Sequence, residues 1–275
     1  MARSLARNGA VQTSATVADH DGVFAIPIRP GARYKITRRC LERRFFLRPD
    51  AETTAVFGYW LVICLQRYGI LLHAVIVMSN HYHLDVTDPH GLIIELERDF
   101  NAVLARVLNA KYGRFDKFWS ADAPCDVALV NDDDVLDRIA YTLVNPVTAG
   151  LVRSGRLWTG LSSWGKPFGS TMTFAKPKAF FAEDNVLLPD QVDIVLVRPN
   201  IHPNSSDAEL DARLLENVHR REHAIQYELR GQNRRFLGMQ RVLAQHHDDT
   251  PVSQEKRFGL RRTTLLWSPA GDALV

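Results

Sequence analysis

The stretch from Leu71 to Val86 constrains this chain more than any other. Leu71-Leu-His-Ala-Val-Ile-Val-Met78 is β-branched and almost continuously apolar, so it reads as a buried strand. Ser79-Asn80 makes a short turn, and His81-Tyr-His-Leu-Asp-Val86 alternates as the returning strand of a hairpin. Helical stretches flank it on both sides. Asp50 caps a helix predicted from Ala51 to about Tyr68 and closed near Gly69. Pro89-His90-Gly91 breaks the chain before a second, from about Leu92 to Lys111, with Ile94, Leu96, Phe100, Val103, Leu104 and Leu108 on one face. Alternation in Arg33-Tyr-Lys-Ile-Thr37 adds a strand before the first helix, and Cys125-Asp-Val-Ala-Leu-Val130 adds one after the second. Asn131 and Asp132-Asp-Asp134 then cap a third helix through about Val144, with acids where a helix N-terminus favours them.

The order strand, helix, strand, strand, helix, strand specifies an α+β fold: a ferredoxin-like β-α-β-β-α-β sandwich with an antiparallel sheet. A chain of 275 residues, 46% of them apolar, is long enough to bury a sizeable core. Its three cysteines, Cys40, Cys64 and Cys125, form no C-x-x-C pair, which excludes a zinc ribbon and fits a reducing compartment. The most apolar window, Phe57 to Leu65, is about half the roughly 20 residues of a spanning helix. Residues 1–30 carry Asp19 and Asp21 and no continuous apolar run, so neither a signal peptide nor a membrane contact is expected. The expectation is a soluble, cytoplasmic protein. A formal net charge of +3 permits a nucleic-acid partner without requiring one.

Residues 1–30 read as a flexible tail, 31–165 as the main domain, and 166–185 as a loop-like linker. Residues 186–267 read as a largely helical, basic C-terminal region, and 268–275 as a second tail. Asn204-Ser205-Ser206-Asp207 offers an N-cap, and Leu210, Leu214, Leu215, Val218 and Ala224 give a helical face.

Two clusters carry possible chemistry. His81 and His83 lie two apart on a strand, so their imidazoles share a face and can converge on one metal ion. Ordinary polar residues on a solvated strand face would look the same. Tyr141 and Asn145 lie four apart on a helix and share a face as well, the phenol as a nucleophile and the amide oxygen as a third ligand. Here too a plainer reading is open, in which the tyrosine packs on the sheet and Asn145 ends the helix before Pro146. His73, on the buried strand, reads as a hydrogen-bonded core residue, and His246-His247-Asp248-Asp249 as a polar turn.

Taken together, Met78-Ser-Asn-His-Tyr-His-Leu84 and Tyr141-Thr-Leu-Val-Asn-Pro-Val-Thr-Ala-Gly-Leu-Val152 resemble the REP-associated tyrosine transposases. These belong to the IS200/IS605-like, single-tyrosine HUH transposases. Gly113-Arg-Phe-Asp-Lys-Phe-Trp-Ser120 and Trp158-Thr-Gly-Leu-Ser-Ser163 also resemble segments of that family, and the resemblance covers roughly Ala32 to Trp164. Ser79 stands where the family often has proline. The resemblance implies that residues 31–165 are the catalytic domain, with His81 and His83 as metal ligands, Asn145 completing the coordination, and Tyr141 as the nucleophile. It further implies a DNA transposase or endonuclease with strand-transfer activity, acting on single-stranded or hairpin DNA through a 5′-phosphotyrosine intermediate. Mixed nitrogen and oxygen ligation suits Mg²⁺ or Mn²⁺. No G-x-x-x-x-G-K-[ST] loop occurs, so no nucleotide cofactor is expected. Relatives work as monomers or as homodimers.

For the DNA, the basic cluster Arg38, Arg39, Arg43 and Arg44, with Lys35 just before it, suits backbone phosphates. Arg220, Arg221, Arg234 and Arg235 of the C-terminal region would put further guanidiniums along a helix, as DNA contacts or as the polar side of a helical cap. Two other tasks fit the same residues: a domesticated protein that binds DNA hairpins without cutting, and a nuclease of the replication-initiator or relaxase type.

Overall fold

The computed structural model describes residues 28–121, 125–128, 132–182 and 187–252. Most of the expected N-terminal tail, Leu129 to Asn131 and the chain beyond 252 lie outside these residues. The element order is β1 (Ala32–Arg39), α1 (Ala51–Tyr68), β2 (Leu71–Met78), β3 (His81–Asp88), α2 (Ile93–Lys111), β4 (Cys125–Ala128), α3 (Asp132–Leu143) and α4 (Asn145–Thr148). It continues with β5 (Thr171–Ala175), β6 (Gln191–Val195), α5 (Asp207–Gly231) and α6 (Met239–Ala244).

The main sheet has the order β2-β3-β1-β4, and every neighbouring pair in it is antiparallel. The fold is therefore α+β with an antiparallel sheet, as expected. Local signals act where they were read. The Asp50 carboxylate accepts the Thr53 amide at 2.8 Å, and Gly69, at φ 65°, closes α1 in the left-handed region. One face of the sheet (Tyr34, Ile36, Tyr82, Leu84, Val86) packs against α1 and α2 around Phe57, Leu61, Phe100 and Leu104. The outer edge of β2 is covered by the segment after α4: Val77 N–H donates to Leu161 O and Ser163 N–H to Val75 O, both at 2.9 Å.

The other face receives α3, which packs on β2 and β3 and is covered in turn by α5. Val135, Leu136, Ile139, Ala140 and Leu143 of α3 share a core with Leu210, Leu214 and Val218 of α5. The Arg221 guanidinium grips both oxygens of Asp137 across the same seam. Helix α5 thus clamps α3, which carries Tyr141, onto the sheet.

Three expectations about elements need correction. Ile94 is 59% exposed and Ile93 is buried in its place, at the first turn of α2, while Leu96, Phe100, Leu104 and Leu108 are buried as expected. On α5, Leu215 and Ala224 face solvent, while Glu222 and Leu229 are buried. Residues read as linker and as helical region instead contribute β5 and β6, a two-stranded antiparallel sheet. Its Phe174 lies so close to Gly58 of α1 that a Cβ there would meet the ring at 2.1 Å. A pair of five-residue strands carries too little periodicity to be read without the helix it covers. Among the described residues, no helix is long and apolar enough to cross a membrane.

Candidate active site

Strand register builds a polar row on the α3-facing side of the sheet. Arg39 lies opposite His81, Thr37 opposite His83, and Lys35 opposite Asp85. Beyond them on β2, Ile76 and Met78 are buried opposite His83 and His81. The two imidazoles stand edge to face with ring centroids 4.8 Å apart.

Each ring is held from behind. Asn80 Nδ2 donates to Arg43 O at 3.2 Å, which turns the amide oxygen towards His81, whose Nδ1 lies 2.7 Å from it. That oxygen only accepts, so His81 Nδ1 carries the proton and Nε2 keeps its lone pair. His83 Nδ1 is likewise 2.7 Å from Thr37 Oγ1. Outer partners on Nδ1 that leave Nε2 available are the usual arrangement around metal-binding histidines. Burial, helped by Arg39, pushes His81 down to about 4. Burial also holds His83 well below its usual value, with the neighbouring His81 and Lys35 adding to it. Both rings are therefore neutral near pH 7, the state in which an imidazole can bind a cation.

Asn145 begins α4 one turn after Tyr141, and its buried side chain is close enough to His81 to favour the protonated imidazole. The helix path bends at Val144 and resumes as α4 through Pro146, so Asn145 stays beside the histidines. Tyr141 is 41% exposed. Lys35, buried between sheet and helix, lies 4.4 Å from the centre of the Tyr141 ring and donates to Thr142 Oγ1 at 2.9 Å. The same ammonium acts on His81, His83 and Asp85. Burial raises Asp85 to about 6 against the pull of Lys35, Thr142 and Arg138. Neither of its carboxylate oxygens has a well-formed hydrogen bond, so Thr142 is near it without being properly engaged.

Two imidazole nitrogens and an amide oxygen are a donor set that fits a divalent cation. A second group, His246, His247 and Asp248, has ligand atoms within 4.8 Å of one another. There Asp248 is shared by Arg44 and Arg114, each at 3.3 Å, and His247 stacks on Tyr112 at 4.3 Å. Two guanidiniums on the only carboxylate of that group oppose a cation, and the segment reads as the polar turn expected of it, fastened to the main domain.

The chain is structurally similar to transposases, at low sequence identity. A REP-associated tyrosine transposase solved with a bound REP hairpin is 16% identical, with a TM-score of 0.45 over 53% of this chain and 84% of that one. A provisionally assigned transposase of Deinococcus radiodurans R1 is 15% identical, with a TM-score of 0.32 over 42% of this chain and 91% of that one. No protein-family model and no curated protein matches the sequence.

The basic residues divide by surroundings. Lys35 belongs to the buried row rather than to a surface cluster. Arg38 lies over the Trp119 ring at 5.9 Å, Arg39 borders the histidines, and the Arg43 carbonyl orients Asn80. Arg44 is ion-paired to Glu42 and Asp248. Arg221 is spent on Asp137 and Arg220 on Asn217, whereas Arg234 and Arg235 are exposed. Sequence reading missed Thr37, Asn80, Asp85 and Thr142 as members of the site. The alternation of Lys35-Ile-Thr37 marks one face, but only strand pairing shows that it is the face of the histidines.

Proposed function

We propose that this chain is a metal-dependent, single-tyrosine DNA nuclease and strand-transferase acting on single-stranded or hairpin DNA. The observation that carries this reading is the shared polar row: neutral His81 and His83 with Asn145 beside them, and Lys35 linking that group to the exposed Tyr141. We read the strand order β4-β1-β3-β2 as the ferredoxin-like sandwich.

His81, His83 and Asn145 would hold Mg²⁺ or Mn²⁺, which supplies polarisation of the scissile phosphate when bound. Tyr141 Oη attacks that phosphorus. An O–P bond to the phenol forms, the bond to the 3′-oxygen breaks, the phenolic proton leaves to solvent and the departing oxygen gains one. A 5′-phosphotyrosine link and a free 3′-hydroxyl result, and attack by another strand's 3′-hydroxyl reverses the exchange without ATP. The Lys35 ammonium offsets the negative charge that gathers between phenol and phosphate. Exposure of Tyr141 lets DNA reach it, while burial of Lys35 and His83 keeps their positions fixed.

Incubation with single-stranded or hairpin DNA and Mg²⁺ or Mn²⁺ is expected to give a covalent protein–DNA adduct on a denaturing gel. Tyr141→Phe is expected to abolish the adduct and retain DNA binding. An adduct formed by the Phe variant would overturn the nucleophile assignment. DNA binding with no adduct from the unaltered protein would leave a hairpin-binding protein that does not cut.

A further inference from the structure

Where the end of α5 meets the loop after α4, a cavity of about 530 Å³ opens between Arg153 and the run Arg230 to Phe236. Four guanidiniums line it: Arg153, Arg230, Arg234 and Arg235. The whole chain carries a formal net charge of only +3, so this wall exceeds the charge of the rest of the molecule. Among the described residues no carboxylate pairs with any of the four, in contrast to Arg44 and Arg221. Glu222, on the same side, spends its carboxylate on the Gly155 amide at 2.7 Å and the Ser154 hydroxyl at 3.2 Å.

The wall is also built rigidly onto the tyrosine segment. Gln226 Nε2 donates to Arg153 O at 2.7 Å, Leu237 N–H to Gly150 O at 2.9 Å, and Gly238 N–H to Leu151 O at 2.8 Å. Gly150 and Leu151 follow α4 directly, so the cavity keeps a fixed distance from Tyr141 and Asn145. Four like charges held together without acidic partners repel one another, an arrangement that favours binding a ligand with several negative charges. Guanidinium forks match phosphate oxygens bidentately, and the half-buried Phe236 offers an apolar surface to a sugar or base.

We infer that this cavity binds successive backbone phosphates of the DNA strand that Tyr141 engages, at a position removed from the scissile phosphate. The inference rests on the proposed function for the identity of the strand, and on the cavity alone for phosphate binding.

The test uses the full chain, with chelator present so that binding is read without cleavage. Affinity for a fluorescent DNA hairpin and for a single strand is measured across a salt series. Arg153→Gln/Arg234→Gln/Arg235→Gln is expected to make the slope of log affinity against log salt shallower by about two to three, since each phosphate contact contributes about 0.7–0.9. The corresponding triple lysine variant is expected to recover most of the slope, and Arg106→Gln, on α2 across the sheet, to leave it unchanged. Arg235→Gln alone, at an exposed position, should remove about one.

An unchanged slope in the triple glutamine variant overturns the inference, as does an equal loss in the lysine variant at an unaltered melting temperature. Adduct formation is scored separately. An adduct with no change of slope spares the catalytic reading and removes the cavity. A shallower slope with no adduct from the unaltered protein keeps the cavity and removes cleavage.

Discussion

A buried ammonium is costly unless its charge is met, and Lys35 meets it with the Thr142 hydroxyl, the Tyr141 ring face and the neighbouring Asp85. That combination locates positive charge beside the candidate nucleophile before any DNA arrives. Lys35→Met keeps most of the unbranched side chain, one atom shorter, and removes the charge. The expected outcome is a fall of about a hundredfold in the rate of adduct formation, read by quenched time points on denaturing gels. Asp85, no longer held down by the ammonium, would move further above about 6. The histidine pair and the Tyr141/Asn145 spacing were legible in the sequence because both follow from element periodicity. Lys35 was legible only as one more basic residue, since its burial depends on α3 bringing Tyr141 and Thr142 over that face of the sheet.

At the scale of elements, α3 is held from two sides. Its apolar stripe meets the sheet and α5, and α5 is started by a full capping box in which Ser206 and Glu209 satisfy each other's backbone amides. Leu210 is fully buried in that seam. Leu210→Ala is expected to cost about 2–5 kcal/mol, measured by denaturant unfolding. Hydrogen exchange should show amides of α3 losing protection in the same variant, because α5 is what presses the tyrosine helix down. The cap and three buried positions of α5 could be read from sequence. Its wrong positions, Leu215 and Ala224, lie at the rim of the stripe, where one residue of phase decides exposure.

For the molecule as a whole, buried histidines set the response to acid. His73 is hydrogen-bonded to Val197 O and Thr87 Oγ1, both at 2.7 Å, and burial pushes it down to about 4, as it does His81. Between about 6.5 and about 4 the unfolded chain takes up protons that the folded chain refuses. Their contribution to stability is therefore complete above about 6.5, is lost as pH falls, and is gone below about 4. Asp85, raised to about 6, acts in the opposite sense: its contribution is complete below about 3.8 and is lost as pH rises through about 6. Three buried histidines with lowered values, His83 included, outweigh one raised carboxyl. Unfolding free energy is expected to fall from pH 7 to pH 4.5, and His73→Gln to make that fall shallower. A flat profile across the window would contradict this account.

By itself the sequence determined the order of strands and helices in the main domain, the caps of α1 and α5, and the pairs of residues that share a face on β3 and at the α3–α4 junction. These depend on periodicity and on backbone donors within a few residues of one another. Only the tertiary structure decided that β1 brings Lys35 and Thr37 to the histidines, that α5 covers α3, and that Arg153 joins Arg230, Arg234 and Arg235 around one cavity. Each of those unites residues far apart in the chain, where strand register and helix packing, rather than local spacing, fix which side chains meet.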